Sequence, residues 1–173
     1  QTSQANMITN NEFDTIYHEH ISFFNSQSMK KLCERAGLYL VSVDKMPIHG
    51  TSYIFTISKK ERKGNVDFVI ADEEKEGLYN PQTYIHYANR CNQIVDDLVM
   101  AVCNYTRNDV GWLAVGYGAP AKGNTLMNFA NEKPDFILED NPLKQMLFTP
   151  GMAAPIYPPA YLTLNYFEKN RIA

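Results

Sequence analysis

The chain has few of the residues that build cross-linked or zinc-stabilised proteins. Its 173 residues include three cysteines, at positions 33, 91 and 103. A disulfide framework or a zinc knuckle needs cysteine pairs at close spacing, and these three are far apart. We therefore predict reduced thiols packed in the core, no metal bound by this chain, and a location in the cytoplasm.

Long apolar runs and basic runs are also missing. No stretch approaches the ~20 apolar residues that a membrane span needs, and no signal-peptide pattern is present. Sixteen basic and 19 acidic residues give a net charge of −3, which argues against a dedicated nucleic-acid binder. We expect neither a membrane nor a nucleic acid as partner. The first residue, Gln1, suggests a fragment or a truncated protein.

Residues 1–60 carry the pattern of a helix followed by two strands. The Asn-Ser pair at 25–26 favours a helix start, and Gly37 favours its left-handed end. The Val- and Leu-rich residues 38–44 and the alternating residues 52–58 predict two strands that would join a mixed sheet. Since these elements make too small a core alone, we interpret them as the tail of a larger α/β domain.

A charged segment and a long helix follow. Charge runs are usually solvated, so we interpret residues 59–80 as a boundary that includes a short helix. Asn80 and Pro81 predict the start of the long helix. Apolar residues at helical spacing predict a packing face along it, made of Tyr84, Tyr87, Cys91, Val95, Leu98, Val102 and Tyr105.

Short strands and a helix alternate after residue 111. The predicted elements are a strand at 112–115, a helix at 121–129, and strands at 135–138 and 161–167. A glycine turn joins the first strand to the helix, which is typical of the opening of a doubly wound, Rossmann-like unit. The predicted fold is therefore α/β, with a Rossmann-like second domain.

Four adjacent side chains that exchange protons form the first candidate site, namely Tyr17, His18, Glu19 and His20. Histidine titrates nearest neutral pH, which suits proton abstraction. If the segment is extended, His18 and His20 share one face. Three interpretations stay open: a general base oriented by a neighbour, a metal pair completed by His49 or His86, or histidines with structural hydrogen bonds only. His49 belongs either to an ordinary turn or to the same cleft.

The glycine turn at residues 116–125 is the second candidate site. Its G-x-G-x-x-A spacing matches a dinucleotide fingerprint, and Asp140 lies where a ribose-binding acid is expected. Lys122, however, falls in the first helical turn, where an ammonium group and free N–H groups suit a diphosphate. A nicotinamide dinucleotide site, a diphosphate site and a purely structural turn are all compatible with the pattern.

Four ordered segments resemble one family. They are residues 13–24 (FDTIYHEHISFF), 47–50 (PIHG), 116–126 (GYGAPAKGNTL) and 140–151, which contain DNPLKQ and TPG. The order and the motifs are similar to those of bacterial sugar C-methyltransferases, which C-methylate nucleotide-linked keto-deoxysugars. The likeness covers nearly the whole chain.

The resemblance implies an enzyme of three parts: a zinc-binding N-terminal domain, a class I methyltransferase domain that binds S-adenosylmethionine, and a C-terminal Rossmann-like domain. The sugar nucleotide would lie between the last two. Residues 1–60 would be the closing helix and strands of the methyltransferase domain, and residues 61–173 the C-terminal domain. The chain lacks the cysteine cluster and the glycine-rich donor motif. The zinc and most of the donor site would therefore belong to upstream domains.

The resemblance also implies residue roles. His20 would be the base that removes the proton next to the sugar ketone, Tyr17 an oxyanion or sugar contact, and Glu19 an orienting partner. The substrate-binding residues would be Gly118, Lys122, Asn124, His18 and His49. Two alternatives stay open: an NAD-dependent oxidoreductase that uses Asp140, and a non-catalytic module that binds nucleotide sugar.

Overall fold

A computed structural model describes residues 3–47, 51–106, 112–165 and 171–172. The chain divides into two compact units, Gln1–Cys91 and Asn92–Ala173. Helices and small sheets occur in both, so the fold is mixed α/β. The units divide inside a long helix and not at residue 60, because the charged segment after residue 60 packs into the first unit. The domain boundary at residue 60 stays a prediction.

The elements are named in chain order. The first unit holds helices α1 (Gln4–Thr9), α2 (Ser26–Arg35) and α3 (Val66–Lys75), a 3-10 helix at Phe13–Thr15, and strands β1 (Tyr39–Met46) and β2 (Ser52–Ser58). Helix α4 (Pro81–Thr106) begins in the first unit and ends in the second. The second unit holds β3 (Trp112–Leu113), β4 (Val115–Tyr117), α5 (Ala121–Ala130), β5 (Phe136–Leu138), β6 (Ile156–Tyr157), α6 (Ala160–Asn165) and β7 (Arg171–Ile172).

Helix α2 confirms the local start and stop signals. The Asn25 side chain accepts a hydrogen bond from the Ser28 backbone N–H at 2.8 Å, and the Ser28 hydroxyl lies 3.0 Å from the Asn25 N–H, which closes a capping box. Gly37 follows the helix with φ of +69°. Met29 and Cys33 are buried along its inner face.

Strands β1 and β2 confirm the two predicted strands but not the mixed sheet. They pair with each other in antiparallel register, with Val43 opposite Phe55. Within the described residues the sheet has these two strands alone. Helices α2 and α3 pack against β1. Val43, Tyr53 and Val66 form the buried centre of this layer.

The charge run is not solvated throughout, which corrects the sequence-based interpretation. Glu73 on α3 is only 2% exposed. Its carboxylate accepts hydrogen bonds from the Ser26 backbone N–H at 3.0 Å, from the Ser26 hydroxyl at 2.9 Å and from the Tyr79 hydroxyl. A carboxylate becomes tolerable in the interior when several donors surround it.

Helix α4 begins as predicted, with the Asn80 side chain accepting from the Gln82 N–H at 3.0 Å. The predicted packing face is buried at Tyr87, Cys91 and Val95. Farther along, its side chains are 39–62% exposed, namely Leu98, Val102 and Tyr105. No helix in the described ranges is both long and apolar enough to cross a bilayer.

The second unit contains a parallel three-stranded sheet in the order β4-β5-β6, and α5 connects its first two strands. Ile137, Ala154 and Ile156 form its buried centre. Strand β6 was not predicted, because prolines flank its two residues. The Pro155 carbonyl nevertheless accepts the Ile137 N–H at 2.8 Å, which aligns the strand.

Two other predictions in this unit need correction. The strand expected at 161–167 is helix α6 over its described part, because Pro158 and Pro159 precede it and their carbonyls accept from Tyr161 and Leu162. The strand expected at 112–115 is two strands in different sheets. β3 pairs with β7, and β4 pairs with β5.

Candidate active site

The segment that carries Tyr17–His20 is folded into turns, so the extended conformation considered from the sequence is wrong. The Ile16 N–H donates to the Phe13 carbonyl at 2.9 Å and closes the 3-10 helix. The His20 N–H then donates to the Tyr17 carbonyl, also at 2.9 Å. This second turn brings the Tyr17 and His20 side chains together, with ring centroids 4.3 Å apart.

The imidazole of His20 is half-buried and held at one nitrogen. Its Nδ1 lies 2.8 Å from the Thr15 carbonyl oxygen. A carbonyl oxygen only accepts, so Nδ1 carries the hydrogen, and Nε2 of the neutral ring keeps the lone pair. The Phe23 ring packs edge-on against the imidazole, with centroids 6.0 Å apart. This arrangement leaves one basic nitrogen available for proton transfer.

His18 and Glu19 lie on the outside of the turn. Their side chains are 84% and 70% exposed, and His18 Nε2 is 4.0 Å from Glu19 Oε1. An exposed pair at this distance contributes little to stability. Among the described contacts, the Thr15 carbonyl holds the His20 ring, while Glu19 faces His18. The orienting role expected for Glu19 stays a prediction.

The glycine turn of the second unit ends β4 and begins α5. Gly118 has φ of +85°, a conformation that favours glycine, and its N–H donates to the Leu138 carbonyl at 2.7 Å. No side chain caps α5 at Pro120. The first-turn N–H groups of such a helix point outward and attract anions. Lys122, the second residue of α5, is half-buried in the same turn.

Asn124, one helical turn into α5, has an unusual side-chain environment. Its side-chain Oδ1 is buried and meets no hydrogen-bond donor among the residues that the structure describes. Its backbone carbonyl accepts from the Asn128 side chain at 2.8 Å. A buried acceptor without a donor lowers the stability of the fold.

Glu139, which the sequence interpretation passed over, closes the glycine turn. Its Oε2 accepts the Ala119 N–H at 2.7 Å, and its Oε1 accepts the Asn141 N–H at 2.9 Å. Lys144 Nζ donates to the Ala119 carbonyl at 2.9 Å and lies 3.9 Å from Glu139. The two backbone N–H groups, with Lys144 adding to them, lower the pKa of Glu139. The sequence did contain a signal for this residue, because Glu139 directly follows a buried apolar strand.

Asp140 faces the Tyr117 hydroxyl, which is 2.9 and 3.0 Å from its two carboxylate oxygens. This hydrogen bond raises the pKa of Tyr117, because it favours the protonated phenol beside a carboxylate. The acid that a dinucleotide site would use for ribose is therefore engaged by a neighbouring side chain.

Metal binding has no geometric support in the part of the chain that is described. No three His, Cys, Asp or Glu side chains there are grouped so as to hold an ion. His86, one of the two possible third ligands, is exposed on α4. His49, the other one and a candidate substrate contact, lies outside the described residues.

Comparison with known proteins decides the family. The profile of the C-methyltransferase C-terminal domain matches residues 47–166. The chain belongs to this family. It is also 31% identical over 160 residues to C-methyltransferase NovU from Streptomyces niveus, in an alignment that covers 88% of the chain and 38% of NovU. The chain thus spans less than half the length of this relative. The resemblance to C-methyltransferases drawn from the motifs is confirmed.

Proposed function

We propose that this chain acts as the C-terminal portion of an enzyme that C-methylates a nucleotide-linked keto-deoxysugar. The observation that carries the proposal is the His20 ring, which is held at Nδ1 beside Tyr17 and keeps Nε2 as a base. Membership of a C-methyltransferase family supports transfer of a methyl group to carbon. On this view residues 1–60 close a class I methyltransferase domain, and residues 61–173 form the Rossmann-like C-terminal domain.

The chemistry begins with proton transfer from carbon. His20 Nε2 takes the proton next to the sugar ketone, and the electron pair of the broken C–H bond forms an enolate. Such a proton is a weak acid in water, so the rate depends on stabilising the enolate oxygen. A well-placed donor is worth ~3–4 kcal/mol at this step, and the Tyr17 hydroxyl is the proposed donor. S-adenosylmethionine, which the family implies, would when bound supply the methyl group for the new C–C bond and leave as the thioether S-adenosylhomocysteine.

The described residues do not fit a complete S-adenosylmethionine site. Such a site uses a glycine-rich turn between a strand and a helix. In the described part of the first unit, where the methyltransferase domain is proposed to end, the glycine in such a position is Gly64, between β2 and α3. A Cβ atom at Gly64 would lie 1.7 Å from the Val41 carbonyl oxygen, so this glycine serves close packing. We propose that the donor site belongs mainly to an upstream methyltransferase domain, together with the family's zinc.

The nucleotide end of the substrate is proposed to bind at α5. The uncapped N-terminus and Lys122 suit a diphosphate, and Gly118 allows close approach of the backbone. Asn124, which follows Lys122 along α5, is a proposed further contact of the nucleotide, as the resemblance implies. His18 remains a proposed substrate contact, and Glu19 a proposed orienting partner of the base.

The oxidoreductase alternative is weaker. It requires Asp140 to bind a ribose, yet both Asp140 oxygens lie within 3.0 Å of the Tyr117 hydroxyl. Glu139, the other acid at this strand end, accepts two backbone N–H groups. A non-catalytic binding module is the remaining alternative. This alternative predicts that His20→Ala has no effect on the rate of any reaction, whereas the proposal predicts a loss of rate.

Isotope exchange tests the proposed base without the methyl donor. The chain is incubated with a thymidine-diphosphate keto-deoxysugar in D₂O, and deuterium incorporation next to the ketone is followed by NMR. We expect exchange that His20→Ala reduces by at least ~100-fold, the usual weight of general-base catalysis. His86→Ala, which removes an exposed histidine on α4, is the matched control. Equal exchange in wild type and His20→Ala would refute the role of His20.

A further inference from the structure

The contacts of one carbonyl group point to a positioning residue within the turn. The Thr15 carbonyl oxygen is 2.8 Å from His20 Nδ1 and also accepts the Tyr17 backbone N–H at 3.1 Å. It therefore makes a hydrogen bond to each of the two residues proposed to carry the chemistry. The contact with His20 is made by the backbone carbonyl of Thr15 and not by its side chain. The Thr15 side chain can therefore affect this contact only by holding the backbone in place.

Thr15 is held by its own side chain. It is 2% exposed, and its hydroxyl donates to the Glu12 carbonyl at 2.8 Å. The Thr15 N–H reaches the same carbonyl at the longer distance of 3.3 Å. The hydroxyl thus makes the shorter of the two hydrogen bonds that join Thr15 to the Glu12 carbonyl. Because it is buried, water cannot replace this bond.

We propose that Thr15 is a positioning residue that fixes His20 as the Nδ1–H tautomer, with Nε2 as the basic nitrogen. The hydroxyl holds the peptide plane of Thr15, and its carbonyl selects the tautomer by accepting the Nδ1 hydrogen. Histidine in water favours the other tautomer, so this selection requires a fixed acceptor. The inference deepens the proposed function, on which its consequence for catalysis rests.

The tautomer is measured directly on the chain by ¹⁵N NMR of the imidazole, at a pH where the ring is neutral. In wild type we expect the Nδ1–H form to be the major one. Thr15→Val, which keeps the shape and removes the hydroxyl, should lower the ratio of tautomers by roughly three- to ten-fold, the weight of one hydrogen bond. Thr15→Ser keeps the hydroxyl and should restore the wild-type ratio.

Glu19→Gln is the competing variant, since Glu19 is the orienting partner expected from the sequence. A tautomer ratio that moves in Glu19→Gln and stays constant in Thr15→Val would overturn the proposal. So would a wild-type spectrum in which Nε2 carries the hydrogen. The wild-type spectrum needs no variant, so a Thr15→Val protein that fails to fold does not remove the test.

Exchange rates separate this inference from the proposed function. If both hold, Thr15→Val lowers the maximal exchange rate with little change in the substrate concentration at half-maximal rate, and Thr15→Ser restores it. If the tautomer responds to Thr15 while His20→Ala leaves exchange intact, the proposed function fails and the positioning role stands. If isotope exchange depends on His20 but the His20 tautomer ratio is unchanged in Thr15→Val, the positioning role fails and the proposed function stands.

Discussion

The Glu73 carboxylate lies 3.0 Å from the backbone nitrogen of Ser26, although 47 positions separate the two residues in the sequence. Ser26 is the first residue of α2, whose unpaired N–H groups and helix dipole favour a negative charge. The Tyr79 hydroxyl donates to the same carboxylate. Glu73 therefore joins α3 to the start of the helix that follows the Tyr17–His20 turn.

Removing the Glu73 charge should destabilise the chain. Glu73→Gln weakens the hydrogen bonds to a buried ionised acceptor, each worth ~1.5–3 kcal/mol. We expect the free energy of unfolding to fall by about 2 kcal/mol, and by more in Glu73→Ala. Urea denaturation followed by circular dichroism measures the change. Glu74→Ala, at an exposed neighbour, is the control and should stay within ±0.5 kcal/mol. Equal midpoints for both variants would show that the carboxylate contributes nothing.

Local signals predicted the elements whose ends they mark. Asn25 and Gly37 bound α2, and Asn80 with Pro81 begins α4, because caps act on their own backbone. The burial of Glu73 could not be predicted in this way, since its partner Ser26 belongs to a distant segment. Strand β6 was missed because a two-residue strand between prolines has no periodicity of its own.

The candidate site, too, could be predicted only in part from local sequence signals. Side-chain identities indicated that Tyr17 and His20 act together, and the structure brings their rings to 4.3 Å. The group that holds His20 is the carbonyl of Thr15, which every residue type possesses and which no composition or spacing reveals. Glu19 was the natural expectation for that contact because only side chains are visible in a sequence.

Substitution of Gly64 should be far more damaging than substitution of Gly37. A Cβ atom at Gly64 would lie 1.7 Å from the Val41 carbonyl oxygen, so β1 or the loop before α3 must shift. At Gly37 a Cβ would meet nothing within 4 Å, and only the φ of +69° is unfavourable. We expect Gly37→Ala to cost ~1–2 kcal/mol and Gly64→Ala ~3 kcal/mol or more, by urea denaturation. The reverse order would contradict the packing described for β1.

Acid should loosen the glycine turn through Glu139. Its pKa is lowered in the folded chain, chiefly by the Asn141 and Ala119 N–H groups. A lowered folded pKa stabilises the fold above the unfolded value, near 4.3, and this contribution is lost as the pH falls through the folded value. We expect the urea midpoint to decline below about pH 4.5, and the decline to be shallower in Glu139→Gln. Parallel pH profiles for the two proteins would show that Glu139 is not involved.

Lys122 should govern affinity for the sugar nucleotide and not the chemical step. Lys122 is the second residue of α5, where a positive charge would add to the field of the helix N-terminus. Loss of a charged hydrogen bond to phosphate costs ~1.5–3 kcal/mol, so Lys122→Ala should weaken thymidine diphosphate binding by roughly 10- to 150-fold. Calorimetric titration measures this, with NAD as comparator and Lys31→Ala, at an exposed residue of α2, as control.

The same variant separates the nucleotide site from the base. In the isotope-exchange assay Lys122→Ala should raise the substrate concentration at half-maximal rate and leave the maximal rate nearly unchanged, because uniform binding is lost without a change at the reacting carbon. His20→Ala should show the opposite pattern. Tight binding of NAD in place of thymidine diphosphate would instead favour the oxidoreductase. Unchanged diphosphate affinity in Lys122→Ala would move the nucleotide site away from α5.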